Sequence, residues 1–208
     1  LELMNNKYAS FALASLLIIC LLSVFVIYRL FRASKKRNKE LDYLVSRDPL
    51  TNCYNRRVLF EIMNRDFENI ELAEPYCIVM IDIDYFKNVN DTHGHNIGDV
   101  VICGVVNILQ SCIRHSDILA RYGGEEFCVI LHNTTPSAAT DIAEIMRSKV
   151  ENNRFDSINV TCSFGITSTT FNAKTSAEFI NQADLALYQS KDNGRNQITI
   201  WDTALGEN

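Results

Sequence analysis

A seven-residue segment, Arg121 to Phe127, restricts most strongly what this chain can fold into. It reads Arg-Tyr-Gly-Gly-Glu-Glu-Phe, and residues 117–121 and 127–132 on either side are rich in the apolar side chains typical of strands. Two strands separated by glycines predict a hairpin with two glycines and two glutamates at its tip. Because glycine lacks a Cβ, a phosphate can approach this backbone while the glutamates hold a metal ion. An ordinary turn with solvated glutamates fits this segment, taken alone, equally well.

A second acidic cluster follows an apolar segment earlier in the chain. Residues 76–81 form a short apolar run, as expected for a buried strand. Asp82 and Asp84 follow this run. Strand alternation places these two carboxylates on one side and Ile83 on the other. A carboxylate at the end of a buried strand is costly to desolvate unless a cation or hydrogen bonds compensate. Asp82 is therefore a candidate metal ligand, with a solvated strand end as the alternative.

The two acidic segments together favour a hard cation. If neighbouring strands bring Asp82 and Glu125 together, their oxygens can bind Mg²⁺, which also keeps waters and shares phosphate oxygens. Cysteine and histidine are not spaced as zinc ligands.

Four spaced blocks of this sequence resemble the GGDEF-family diguanylate cyclases, which condense two GTP molecules into cyclic di-GMP and release two pyrophosphates. The blocks are residues 48–57, 82–99, 121–127 and 191–196, and the resemblance covers about residues 46–201. One block alone is weak support, whereas four in the family's order and spacing are highly specific. The resemblance implies an α+β domain of the palm-like type shared with nucleotide cyclases, in which helices flank an antiparallel-rich central sheet.

The resemblance also implies catalytic roles for matching residues. Asp82 and Glu125 would bind Mg²⁺, or alternatively Mn²⁺, through their side chains, and Ile83 through its backbone carbonyl. Glu126 would support the metal site or the reacting hydroxyl, and Lys87 would stabilise charge in the transition state. Glu125 is the usual candidate for the general base, but a carboxylate bound to a cation is a weak base. Water and a metal-activated hydroxide therefore stay open.

Other matching residues correspond to substrate contacts of the family. Asn90 and Asp99 match the pair that recognises guanine, since a carboxylate accepts hydrogen bonds from a donor pair that adenine lacks. Lys191 and Arg195 would grip the outer phosphates of GTP. The remaining substrate contacts would come from His95, Gly123 and Gly124.

Regulation is implied by the same resemblance. Each subunit would present one GTP, so the active form would be a homodimer whose geometry controls the rate. Arg114 and Asp117 stand at the family's offset from the glycines for an RxxD site, where cyclic di-GMP binds as an inhibitor. The planar guanidinium of arginine suits a phosphate or a guanine edge. Arg147 is a candidate for a second arginine of that site.

The amino-terminal segment indicates where the domain works. Residues 8–28 carry no charged side chain and are long enough to cross roughly 30 Å of hydrocarbon as a helix. One basic residue, Lys7, precedes this segment, whereas six basic residues follow it within residues 29–39. By the positive-inside rule the carboxyl-terminal side is cytoplasmic. We therefore expect anchoring in the bacterial cytoplasmic (inner) membrane, with the catalytic domain in the cytoplasm.

The expected organisation has four parts. Residues 1–31 form a transmembrane helix with a short flank, and residues 32–47 form a basic helical linker. Leu41, Leu44 and Val45 stand at heptad-like positions of that linker, so a short coiled coil is an option. Residues 48–203 form the GGDEF catalytic domain, and residues 204–208 form a tail.

Composition excludes one class of partner and favours one compartment. Residues 40–208 hold thirteen basic and twenty-four acidic residues, so this part is net acidic and unsuited to nucleic acid. The seven cysteines are odd in number, contain no CxxC and fall mostly in apolar stretches. They are typical of small core residues in a reducing compartment.

Two other functions are alternatives to the cyclisation of GTP. A catalytically inactive module that only binds cyclic di-GMP would usually have lost the signature acids or glycines, which this chain keeps. Synthesis of adenine-containing cyclic dinucleotides would be favoured by a small residue in place of Asp99.

Overall fold

The computed structural model describes residues 21–23, 25–32, 35, 46–68 and 75–206. The chain divides into two compact units, Leu1–Val45 and Ser46–Asn208. In the first unit, residues 21–23, 25–32 and 35 are helical and exposed. Across the described ranges no helix combines the length and the apolar character needed to span a bilayer. Residues 8–20 of the predicted span and most of the predicted linker lie outside these ranges.

A six-stranded mixed sheet forms the centre of the second unit. Its strands in chain order are β1 (Tyr54–Asn55), β2 (Cys77–Ile83), β3 (Ile118–Arg121), β4 (Glu126–Leu131), β5 (Cys162–Ser168) and β6 (Ile198–Ile200). They are arranged in the order β1-β3-β4-β2-β5-β6. The three inner pairs are antiparallel, whereas β1 pairs with β3 and β6 with β5 in parallel. The predicted antiparallel pairing thus holds for the interior of the sheet, and the sheet as a whole is mixed.

Helices cover both faces of this sheet. Within the described part of the unit they are α1 (Arg56–Glu68), α2 (Phe86–His93), α3 (His95–Cys112), α4 (Pro136–Glu151) and α5 (Ser176–Asp192). The apolar i, i+3, i+4 spacing that predicts helices in residues 97–112, 139–150 and 177–187 is confirmed for α3, α4 and α5. Thr135 and Thr175 cap α4 and α5, and their side chains accept hydrogen bonds from the backbone N–H of Ala138 and Glu178.

The core lies on both sides of β2, all of whose residues are buried. Val79 and Ile81 belong to the cluster that packs against α3 and α4, whereas Ile78 and Met80 belong to the cluster with α1 and α5. Because side chains alternate along a strand, Asp82 falls on the same face as Ile78 and Met80. The packing of β2 therefore directs the Asp82 carboxyl group toward the side of α5.

The cysteines described by the structure have the predicted character. All six are free thiols, and four of them, Cys53, Cys77, Cys128 and Cys162, are buried. Burial raises the pKa of the Cys77 thiol to about 11, so this thiol stays protonated at neutral pH.

Gly165 in β5 provides a test of the packing between the sheet and α5. A Cβ at this position would overlap the backbone carbonyl oxygen of Ala183 and the backbone nitrogen of Leu187. Because backbone atoms cannot move aside cheaply, Gly165→Ala is expected to lower the free energy of unfolding by about 3 kcal/mol. Chemical denaturation measures this change. Gly124→Ala is the control, since a Cβ there meets nothing within 4 Å; equal stability of the two variants would contradict the described packing.

Candidate active site

The predicted hairpin lies beside the end of β2. Strands β3 and β4 pair in antiparallel fashion, and residues 122–125 connect them. Asp82 is the ladder partner of Glu126 across β2 and β4. The backbone N–H of Ile83 donates a hydrogen bond of 3.3 Å to the carbonyl oxygen of Glu125. The backbone segments of the three predicted metal-binding residues, Asp82, Ile83 and Glu125, are therefore adjacent.

The Asp82 carboxyl group sits in a buried, acidic environment. The residue is 8% exposed, and its Oδ2 atom lies 2.7 Å from Nζ of Lys191. Burial raises the pKa of Asp82 to about 6, and the charges of Glu125 and Glu126 act in the same direction, while Lys191 opposes them. A nearby cation would favour the ionised form of Asp82. Positive charge at this position would therefore stabilise the site.

The donor set fits a hard divalent cation such as Mg²⁺. The nearby side chains of Asp82, Glu125 and Glu126 and the Ile83 carbonyl supply only oxygen atoms, the ligands that Mg²⁺ prefers. In the part of the chain that the structure describes, no group of three or more His, Cys, Asp or Glu residues could hold a metal ion by itself. This finding is compatible with the predicted set, which uses two carboxylates and one backbone carbonyl. Mg²⁺ fills its remaining positions with water and substrate phosphate.

The two glycines of the hairpin tip have different surroundings. A Cβ on Gly123 would overlap Oε2 of Glu126, so the Glu126 side chain lies directly over this glycine. A Cβ on Gly124 would meet nothing within 4 Å, so its backbone stays open to a ligand. The Gly124 carbonyl accepts hydrogen bonds from Nη2 and Nε of Arg121, at 2.7 and 3.1 Å. Arg121 also pairs with Asp48 at 2.9 Å, which fixes the tip to the turn at residues 48–51.

Both predicted phosphate-binding cations lie near the end of β2. Lys191, in the last turn of α5, contacts Asp82. The Arg195 guanidinium lies 4.5 Å from the centre of the Tyr85 ring, and its Nη1 donates to the Tyr85 hydroxyl at 3.3 Å. Tyr85 follows Asp84 at the end of the strand, so the two cations flank the acidic cluster.

The predicted guanine-binding pair lies where α2 meets α3. A Cβ on Gly98 would overlap Oδ1 of Asn90, which shows how closely the two helices approach. This Oδ1 atom is buried and has no hydrogen-bond partner among the described residues. Asp99, next to Gly98, is exposed. A buried amide oxygen without a partner is an atom that a ligand donor can satisfy.

The remaining predicted residues are distributed as follows. Lys87 and His95 are exposed, in the first turns of α2 and α3. Arg114 and Asp117 precede β3 and so lie at the opposite end of that strand from the hairpin tip. Arg114 is exposed, whereas the Asp117 carboxylate is buried.

The buried Asp117 carboxylate is engaged by the backbone. It accepts hydrogen bonds from the backbone N–H groups of Arg114, at 2.9 Å, and His132, at 3.3 Å. The structure thus gives Asp117 a turn-stabilising role and leaves Arg114 as the exposed member of the pair. Arg147, the candidate second arginine, is engaged elsewhere, by two glutamates on its own helix.

Asp184 is a charged neighbour of the site that sequence reasoning did not identify. Burial raises the pKa of Asp184 to about 6, the charge of Glu126 adds to this effect, and Lys191 and Arg56 oppose it. Asp184 precedes Lys191 by two helical turns, so both point to the same side of α5. That spacing is the signal in the sequence that could have identified it.

Lys191 contacts Oδ2 of Asp82, so a metal ion at this carboxylate would have to compete with the ammonium group, and this competition can be measured. Lys191→Met removes the ammonium group and leaves a buried carboxylate without its cation. We expect the variant to bind Mn²⁺ about tenfold more tightly in the absence of nucleotide, a difference of about 1.4 kcal/mol. Titration calorimetry measures it. Lys87→Met is the control for loss of one positive charge, and unchanged or weaker Mn²⁺ binding by Lys191→Met would refute the competition.

Acidic side chains, glycines and basic side chains lie together at the end of the central strands of a mixed sheet. This arrangement defines an α+β domain whose chemistry suits a metal ion and nucleotide phosphates. The family model "Diguanylate cyclase, GGDEF domain" matches residues 45–197, and the chain belongs to this family. Diguanylate cyclase A of Treponema denticola is 42% identical over 171 residues, which are 78% of this chain and 46% of that protein. The probable diguanylate cyclase DgcT of Escherichia coli is 42% identical over 165 residues, which are 76% and 36%. The chain thus spans less than half the length of these relatives.

Solved structures support the same assignment. The coiled coil and GGDEF domain of DgcB from Caulobacter crescentus, in complex with c-di-GMP, matches with a TM-score of 0.76 and 28% identity. The match covers 83% of this chain and 94% of that chain. The GGEEF domain of a diguanylate cyclase from Vibrio cholerae matches with a TM-score of 0.67 and 34% identity, over 71% and 97%. The predicted palm-like α+β fold is therefore confirmed.

Proposed function

We propose that this protein is a diguanylate cyclase that condenses two GTP molecules into cyclic di-GMP and releases pyrophosphate. The observation that carries the proposal is the buried Asp82 carboxylate, with Glu125 and Glu126 beside it on an open glycine hairpin. Relatives that share this domain are named as diguanylate cyclases. An acidic, glycine-lined site with nearby cations has the chemistry that phosphoryl transfer between nucleotides requires.

Each part of the site has a task in this reaction. Asp82, Glu125 and the Ile83 carbonyl would hold Mg²⁺ or Mn²⁺, which when bound neutralises phosphate charge and helps to orient the triphosphate. Gly124 leaves room for the phosphates to approach the backbone. Lys191 and Arg195 grip the outer phosphates. The remaining contacts, to the guanine base and to the charge that develops in the transition state, fall to Asn90, Asp99, His95 and Lys87.

The bond changes involve two nucleotides. The 3′-hydroxyl oxygen of one GTP forms a bond to the α-phosphorus of the other, the bond from that phosphorus to pyrophosphate breaks, and the hydroxyl proton passes to a base. Glu125, water and hydroxide are the candidate bases. A second transfer of the same kind closes the ring. Since each chain supplies one such site, we propose that two chains face each other as an antiparallel homodimer.

The setting of the domain is also part of the proposal. The uncharged segment 8–28 and the basic residues after it support an anchor in the bacterial inner membrane with the catalytic domain in the cytoplasm. GTP and cyclic di-GMP are the proposed small-molecule partners. The net negative charge of residues 40–208 argues against nucleic acid as a partner.

A module that binds cyclic di-GMP without making it is the rival function. Both functions share the fold, so they differ only in whether the acidic site turns over GTP. Incubation of the purified protein with GTP, ATP and Mg²⁺, followed by mass identification of products, separates them. Cyclic di-GMP as the product supports the cyclase; binding of cyclic di-GMP without any product supports the receptor.

Glu125→Ala tests the metal assignment. Loss of this carboxylate removes one ligand and one charge beside Asp82, so cyclic di-GMP production from GTP is expected to fall at least about 100-fold. The midpoint of thermal unfolding should stay close to that of the parent, because the Glu125 side chain is not part of the buried core. Glu61→Ala, which removes an exposed glutamate of α1, is the matched control. Parent-like production by Glu125→Ala would show that this residue does not bind the metal.

Product inhibition through the RxxD pair is proposed from the exposed Arg114 at the turn before β3. Arg114→Ala removes a guanidinium that can bind a phosphate or a guanine edge. The initial rate should stay at the parent value, while the inhibitory concentration of cyclic di-GMP rises about tenfold. Inhibition curves for the parent, Arg114→Ala and the neighbouring control His115→Ala measure the effect. An identical curve for Arg114→Ala and the parent would exclude this residue from inhibition.

A further inference from the structure

The segment between α5 and β6 carries Arg195 in a backbone conformation that side chains rarely adopt. Gly194, Arg195 and Asn196 have φ values of 112°, 65° and 47°, so three consecutive residues lie in the left-handed region. Only glycine enters this region without a steric cost. Contacts outside the segment must therefore hold Arg195 and Asn196 in place.

The Arg195 backbone N–H donates to the Ser190 carbonyl at 3.0 Å, and Asn196 supplies contacts in three further directions. Its backbone N–H donates to Oδ2 of Asp84 at 3.1 Å, and its Nδ2 donates to Oε1 of Glu151 at 2.7 Å. Its Oδ1 accepts from Nη1 of Arg147 at 2.9 Å. One residue thus links the segment to the end of β2 and to the last turns of α4.

Asp84 is a firmly fixed acceptor. It is 4% exposed and accepts hydrogen bonds of 2.7 Å from the hydroxyl groups of Thr161 and Ser163. Its own N–H donates to the Thr161 carbonyl at 2.9 Å. Since Asp84 directly follows Ile83, the bond from Asn196 ties the segment to the strand end that carries the proposed metal ligands.

The contact on α4 is equally well fixed. The Arg147 side chain is 17% exposed and pairs with Glu144 at 2.6 Å and with Glu151 at 2.9 Å. Arg147 and Glu151 together satisfy the Asn196 side-chain amide. Arg147 donates to its oxygen, and Glu151 accepts from its nitrogen. These contacts tie Arg147 to the segment that carries Arg195.

We propose that Asn196 is a positioning residue for the outer phosphates of GTP. By fixing the left-handed backbone at Arg195 against Asp84, Arg147 and Glu151, it sets where the Arg195 guanidinium meets the β- and γ-phosphates. Tyr85 holds the guanidinium itself through the ring contact and the hydrogen bond already described. Asn196 acts through Arg195 and does not touch the nucleotide. The inference rests on the proposed function, because it takes GTP as the ligand.

Binding of two nucleotides by Asn196→Ala tests the proposal without turnover. The ligands are a non-hydrolysable GTP analogue and guanosine monophosphate, which lacks the outer phosphates, both with Mg²⁺. We expect affinity for the analogue to fall about tenfold and affinity for the monophosphate to stay unchanged. Asn193→Ala is the matched control, because Asn193, the C-cap of α5, only accepts a side-chain hydrogen bond from Gln189 in the last turn of that helix. It should bind both ligands like the parent.

Two further variants keep the test decisive. Arg147→Ala removes one of the partners of Asn196 and should show the same selective loss, with unchanged inhibition by cyclic di-GMP. If Asn196→Ala does not fold, Asn196→Asp preserves the size of the side chain and the acceptor for Arg147 but repels Glu151, so a selective loss is again expected.

The outcomes separate this inference from the proposed function. Equal weakening of both ligands would reveal a merely structural residue, and unchanged affinity for the analogue would show that Arg195 is positioned without Asn196. Either result overturns the inference alone. A parent protein that binds neither nucleotide would overturn the proposed function and, with it, this inference.

Discussion

The carboxyl group of Asp82 is buried at the end of the central strand, and the rest of the site is arranged around its charge. Desolvation alone would favour the protonated form, and the neighbouring Glu125 and Glu126 reinforce that tendency. Lys191 offsets part of this cost by direct contact. Acidic side chains gathered around a buried carboxylate are stabilised by nearby positive charge, so this electrostatic arrangement favours a cation at the site.

The same burial fixes the geometry of the acids. Both faces of β2 are packed, so a shift of register by one residue would move Asp82 from the α5 face to the α3 and α4 face. Correct register also places Glu126 opposite Asp82 and the Glu125 carbonyl beside the Ile83 amide. Core packing and alignment of the candidate ligands are therefore one physical requirement, which the two apolar faces of β2 enforce.

Local patterns predicted much of this fold, whereas long-range contacts did not follow from them. Asn52 stands where the GGDEF family usually has glycine, and with a φ of 58° it adopts the left-handed conformation that asparagine tolerates. Helices α3, α4 and α5 and the central hairpin have clear periodicity and turn signals. The apolar run at residues 198–201 predicts a strand, which β6 confirms, whereas β1 spans only two residues, too few to show alternation. Ser190 stands where the GGDEF family usually has alanine, and the structure explains it by hydrogen bonds of its hydroxyl with the Phe164 carbonyl in β5, at 2.7 Å, and with the Thr199 hydroxyl in β6, at 2.8 Å.

Strand β3 lies between the two sites proposed for this domain, the active site and the inhibitory site. Its four residues span roughly 13 Å, with the glycine hairpin at one end and the Arg114 turn at the other. Arg121 and Asp48 hold the hairpin end, and the buried Asp117 carboxylate holds the turn. A ligand at Arg114 therefore does not occupy the place of GTP near Glu125. In the proposed homodimer, inhibition at that turn would act through the relative position of the two chains, the same variable that would bring two GTP molecules together.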